Sequence, residues 1–127
     1  MAEGDGDQMT MVLDADGIAR LWWAPGVEIT GDLAREAVAA LARVCDGERK
    51  PMLVDMQGTG TLTRDARVVF AQPSSASRIA LLGKSAVDRV IANFALGVSP
   101  VPVPTRFFTS QAAALAWLRE GGHARGA

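Results

Sequence analysis

Gly83-Lys84-Ser85 stands between an apolar run and a helical pattern. Free backbone amides and a lysine in that setting can hold an anion. A full phosphate-binding loop needs its first glycine at position 78, which is Arg78, so the nucleotide-binding pattern is not met. Gly58, Thr59, Gly60, Thr61 and Thr63, with Arg64 and Arg67 just beyond, make a second, hydroxyl-rich stretch at the same end of the expected sheet. An ordinary strand-to-helix connection closed by an N-cap explains such a stretch equally well. Asp55 ends the apolar run Met52-Leu53-Val54, where open α/β sheets place their ligands. A backbone amide or an arginine is the more ordinary partner for such a carboxylate. Asp14 and Asp16, with Gly17, read as turn chemistry, and Asp65 and Asp88 as helix starts. There is one histidine, His123, and one cysteine, Cys45. A zinc site, a Ser/His pair or a Cys/His pair therefore lacks its parts. No cofactor or metal is expected, and an enzyme is the lowest-ranked class.

Those residues need elements to carry them. Met9 to Leu13 and Ile18 to Trp23 alternate as strands around Asp16-Gly17, a hairpin signal. Trp22 and Trp23 are adjacent and so point to opposite faces. Thr30 caps a helix from Gly31 to Cys45 with Leu33, Ala37, Leu41 and Val44 on its buried stripe. A strand over Met52 to Met56 follows, then the Gly58-rich loop and a helix from Arg64 to about Gln72 capped by Thr63. Arg78 to Leu82 is the next strand. Ser85 caps a helix that places Val87, Val90, Ile91 and Phe94 on one face and closes at Gly97. Pro100, Pro102 and Pro104 enforce an extended connector. Thr105 to Phe108 is the last strand, and Ser110 caps the last helix, which Gly121-Gly122 ends. Strands alternating with helices imply βαβ units and a largely parallel sheet.

At 127 residues, half of them hydrophobic, the chain fits one domain with a substantial core. A formal net charge of −1 gives no basic excess for nucleic acid. No apolar run reaches the length of a membrane span, and no secretory leader pattern opens the chain, so a cytoplasmic location without integral membrane association is expected. Residues 1–8 hold Glu3, Asp5 and Asp7 among glycines and read as a flexible start; 9–121 is the domain and 122–127 a flexible tail. Two tryptophans on opposite faces and a short edge hairpin need cover, which a homodimer or higher homo-oligomer would supply.

The element order and the run Leu53-Val54-Asp55-Met56-Gln57-Gly58 resemble the STAS domains, the SpoIIAA-like fold of anti-sigma-factor antagonists. They are similar too to the bacterial STAS/SEC14-type proteins, through Ile79-Ala80-Leu81-Leu82-Gly83, Val87-Asp88-Arg89-Val90 and Pro104-Thr105-Arg106-Phe107-Phe108. The resemblance spans Met9 to Gly121. It implies an α/β single domain with a mixed, mostly parallel sheet, an N-terminal hairpin and about four helices. It also implies a non-enzymatic regulatory or protein-binding module with a protein partner. Antagonists of this kind carry an Asp-Ser pair at the start of the helix after the central strand, and a partner kinase phosphorylates the serine. Here that pair falls at Thr63-Arg64, so the serine is missing, and Thr61 or Thr63 would be the acceptor. The partner surface implied comprises Asp55, Thr59, Thr61, Thr63, Arg64, Arg67, Lys84 and Ser85. The SEC14-type likeness implies an alternative, an apolar or lipid-like ligand in a cleft lined by Trp22 or Trp23, Phe70, Phe94 and Phe107. A filled core is the commoner fate of aromatics at such spacing.

Overall fold

Asp14 sets the first turn. Its carboxylate accepts the amides of Asp16 and Ile18, while Gly17 takes φ +80°, a left-handed conformation that glycine adopts without steric cost. Strands β2 (Met9–Leu13) and β3 (Ala19–Trp23) pair antiparallel on either side of it. The computed structural model describes residues 2–3, 8–56, 61–72, 74–84 and 103–126, with side chains from 8 to 120 among them. Within that description β1 (Ala2–Glu3) pairs antiparallel with β2, so part of the expected flexible start is held as a short edge strand. The outer amides of β2 gain partners that way.

β5 (Lys50–Asp55), β7 (Ala76–Leu82) and β8 (Thr105–Phe108) then add parallel to β3, giving a six-stranded sheet in the order β1-β2-β3-β5-β7-β8. A short parallel pair, β4 (Glu28–Ile29) with β6 (Thr61–Leu62), stands apart from it. Helix α1 (Gly31–Cys45) starts where Thr30 Oγ1 accepts the Leu33 amide. It ends on Asp46 at φ 49°, whose amide bonds back to Ala42 O. The stop therefore begins one residue before Gly47. Helix α2 (Arg64–Phe70) is a short crossover, and α3 (Gln111–Gly126) closes the chain. The backbone of α3 stays helical beyond Gly121 and Gly122, where the sequence predicts its end. Glycine inside a helix costs only about 1 kcal/mol and does not itself terminate one.

The two sheet faces have different covers. Leu33, Ala34, Ala37, Leu41 and Val44 of α1 and Ala66 of α2 pack on Met9, Met11, Leu21, Trp23, Met52 and Val54. Ala114 and Leu118 of α3 pack on Leu53, Ala80 and Leu82 from the opposite side. β5 alternates between these cores, which is why its sequence is apolar almost throughout. The fourth helix expected from Ser85 to Gly97 lies outside the described residues.

Candidate functional site

Alternation along β3 sends Trp23 into the α1–α2 core, 7 % exposed, and leaves Trp22 on the opposite face at 36 %. Both stand at the carboxyl end of the parallel strands. From there the chain turns through Pro25 and Gly26 into β4, and β4 meets β6. Thr61 N–H donates to Val27 O at 3.3 Å and Thr63 N–H to Ile29 O at 3.0 Å. These bonds hold the approach to α2 beside the approach to α1. At the junction a Cβ built on Gly31 would lie 2.9 Å from Asp65 Cβ, so the two helix starts touch.

Thr63 caps α2, its Oγ1 accepting the Ala66 amide at 3.2 Å. Thr61 and Arg64 are exposed on either side of it. Arg67 is half-buried and turns back over the helix start, its Nη1 donating to Leu62 O at 3.4 Å. Among the described residues its Nε, shielded from solvent, meets no acceptor, and the same holds for the indole N–H of Trp23 and for Arg20 Nε. Thr61, Thr63 and Arg64 thus form one rim, and Arg67 faces inward beneath it.

Asp55 reaches the same end of the sheet but shares a face with Leu53 and α3, beside Trp22 and Leu82 in register. Lys84, exposed, follows β7, where Gly83 N–H donates to Phe108 O at 3.0 Å. Thr59 and Ser85 lie outside the described residues. Of the cleft aromatics, Trp23 and Phe70 meet edge to face with centroids 6.4 Å apart. Trp22 is turned away from them. Phe107, buried on β8, is three strands from Trp23, roughly 14 Å at ordinary strand spacing. Phe94 lies outside the described residues.

Sequence reasoning did not single out the arginine–aromatic contacts on the α3 face. Arg78 lies 4.2 Å over the Trp117 ring and donates to Trp117 O at 2.7 Å, and Arg106 sits 5.2 Å over Phe108. Arg20 covers Trp22 at 5.3 Å. On strands the signal is the i, i+2 spacing of Arg20 with Trp22 and of Arg106 with Phe108. Among the described residues no group of His, Cys, Asp and Glu could hold a metal ion, and no helix is long and apolar enough to cross a membrane.

Among the described elements, a hairpin-led mixed sheet, two crossover helices on one face and a closing helix on the other define a SpoIIAA-like, STAS-type α/β fold. Two solved structures share it. One is a protein from Shewanella loihica with a SpoIIAA-like fold, of the DUF3478 family (TM-score 0.64, 16 % identity, 90 % of this chain and 96 % of that one). The other is an anti-sigma factor antagonist from Mycobacterium paratuberculosis (TM-score 0.58, 15 % identity, 91 % and 97 %). The chain belongs to the family described as a domain of unknown function, DUF7793, whose model matches residues 11–121. A protein of unknown function from Arthrobacter sp. FB24 is 52 % identical over 86 % of this chain and 97 % of its own, with a TM-score of 0.36. None of the curated proteins matches.

Proposed function

We propose that this chain is a non-enzymatic regulatory module that binds a protein partner through the rim formed by Thr61, Thr63 and Arg64. One observation carries the reading. The β4–β6 pair and the Gly31–Asp65 contact fix two helix starts together, so an exposed hydroxyl and an exposed guanidinium are presented from a rigid base. Rigid presentation keeps the ordering cost of docking low. The likeness to an anti-sigma factor antagonist supports a protein as the partner. Thr61 is the better phosphate acceptor of the two threonines, because Thr63 Oγ1 is engaged in the cap. A phosphate at Thr61 would sit near the positive end of α2 and beside Arg64, and its charge and bulk would alter docking. Lys84 and Asp55 stand at the same end of the sheet, but Asp55 lies on its opposite face, so the docking surface is the rim of Thr61, Thr63 and Arg64 alone. A cytoplasmic module that self-associates through the face bearing the partly exposed Trp22 fits the same role.

The test is capture from host extract by immobilised wild-type protein and by Arg64→Glu, with folding of both checked by circular dichroism. A discrete protein retained by the wild type and lost by the folded variant supports the rim. Identical retention by both refutes it.

A further inference from the structure

We infer a docking site for an acidic peptide on the α3 face of the sheet, held by Arg78 and Arg106 beside Trp117 and Phe108. It lies on the opposite side of the sheet from the rim of Thr61, Thr63 and Arg64, goes beyond that reading and does not depend on it. Two arginines converge there on one ring. The guanidinium carbon of Arg78 lies 4.2 Å from the Trp117 ring centroid. That of Arg106 lies 5.7 Å from the same ring and 5.2 Å from the ring of Phe108. Trp117 and Phe108 meet with centroids 5.6 Å apart, so the four side chains form one cluster. The backbone explains the convergence. Arg106 pairs with Ala80, two residues along β7 from Arg78, so the arginines are diagonal neighbours on one face. Their Cα positions are about 8 Å apart at ordinary strand spacing.

Two like charges held against one ring repel, and an anion within reach of both relieves them. Among the described residues neither arginine has a carboxylate at ion-pair distance. On α3 itself, Arg119 takes Asp16, and Glu120 is exposed and forms no ion pair among the described residues. Arg78 uses one donor on Trp117 O at 2.7 Å. A ring face attracts a guanidinium without accepting its N–H bonds as a carboxylate does, so most donors of both arginines remain available. Arg106 is exposed and Arg78 half-buried, so an incoming chain reaches them without opening the core. The chemistry of the partner follows. A guanidinium takes a carboxylate through two parallel bonds. Side chains two apart on an extended segment point the same way and lie about 7 Å apart, close to the separation of the arginines. The surface therefore fits an extended segment with carboxylates at alternate positions. Two cations on a chain of net charge −1 do not make the longer basic track that a nucleic-acid strand needs.

The test is a titration of the 15N-labelled full chain with two synthetic peptides of equal charge, one with glutamates at alternate positions and one with them adjacent. It is followed at the indole N–H resonances of Trp22, Trp23 and Trp117, and Trp117→Phe assigns the Trp117 signal. The expected result is a selective shift of the Trp117 indole by the alternating peptide, with at least threefold weaker binding of the adjacent one. Arg106→Gln, a change at an exposed side chain, should bind the alternating peptide at least threefold more weakly. Arg106→Lys, which keeps the charge and loses the paired donors, should fall between that variant and the wild type. Five outcomes overturn the assignment: no shift at millimolar peptide, the arginines then bracing the rings only; equal binding of the two peptides; all three indoles moving together; inorganic phosphate or a short oligothymidylate acting as effectively as the alternating peptide; or Arg64→Glu costing as much affinity as Arg106→Gln, the mark of unspecific charge attraction. Arg64→Glu should leave peptide binding intact, so failure of this surface and failure of the docking rim are separately visible.

Discussion

Replacing Gly31 by alanine sets two effects of known sign against each other. At the start of α1, alanine gains helix propensity, worth up to about 1 kcal/mol in a helix interior and less at its first position. Against that, the new methyl group would lie 2.9 Å from Asp65 Cβ. Ordinary van der Waals contact begins some half an ångström further out, and Asp65 Cβ is the stem of a side chain in the first turn of α2, so rotating a side chain cannot relieve the clash. One helix start must move. Overpacking of this kind typically costs about 1–3 kcal/mol, so Gly31→Ala should be destabilising by about 1 kcal/mol net. Urea unfolding should show a lower midpoint with an unchanged slope. In an Asp65→Gly background the clash is gone and only propensity remains, so the same substitution should become neutral or stabilising. That reversal of sign is the decisive reading, because residues in contact couple and distant ones add. A Gly31→Ala protein more stable than wild type in both backgrounds would refute the close approach of α1 and α2.

Thr63→Ala should lose about 1 kcal/mol through its cap while Thr61→Ala stays within about 0.5 kcal/mol of wild type, both measured by urea melts; equal effects would place the cap elsewhere. Leu118→Ala, at a fully buried position, should cost about 2–5 kcal/mol, read from the unfolding midpoint, because α3 loses its anchor on Leu53, Ala80 and Leu82. Burial pushes the Cys45 thiol up, a shift that a backbone hydrogen bond and the charge of Lys50 partly oppose. The unfolded chain therefore loses this proton first. The stability contributed by the protonated thiol is full below the unfolded value and declines as pH rises through it toward the folded one. Urea melts at rising alkaline pH should show that decline, reduced in Cys45→Ala, and a thiol reagent should label Cys45 far faster in urea than in buffer. Equally fast labelling in both would refute its burial.

Local chemistry made much of the fold legible. The Thr30 and Thr63 caps, the Asp14 turn and the α1 stripe each rest on contacts within a few residues, and the sequence predicts them with their observed starts. The short strands escaped notice for the complementary reason. Glu28–Ile29 and Thr61–Leu62 carry no alternation long enough to read, and exist because each finds the other across more than thirty residues. β1 is of the same kind. At the candidate site, residue type and end of sheet were readable from order alone. Side-chain direction was not: the inward turn of Arg67 and the separation of Asp55 from the Thr63 rim by the sheet itself depend on parity and packing between distant segments.

The second face of the sheet owes its cover to the last helix alone among the described elements. Translation delivers that helix after every strand it protects. While the ribosome is still making the C-terminal part of the chain, Leu53, Ala80 and Leu82 are already synthesised but their lid is not. Arg119, tied to Asp16 at 2.8 Å, joins α3 to the turn between β2 and β3. Among the described residues, Leu53, Ala80 and Leu82 therefore await the partners Ala114 and Leu118 until that helix has been made.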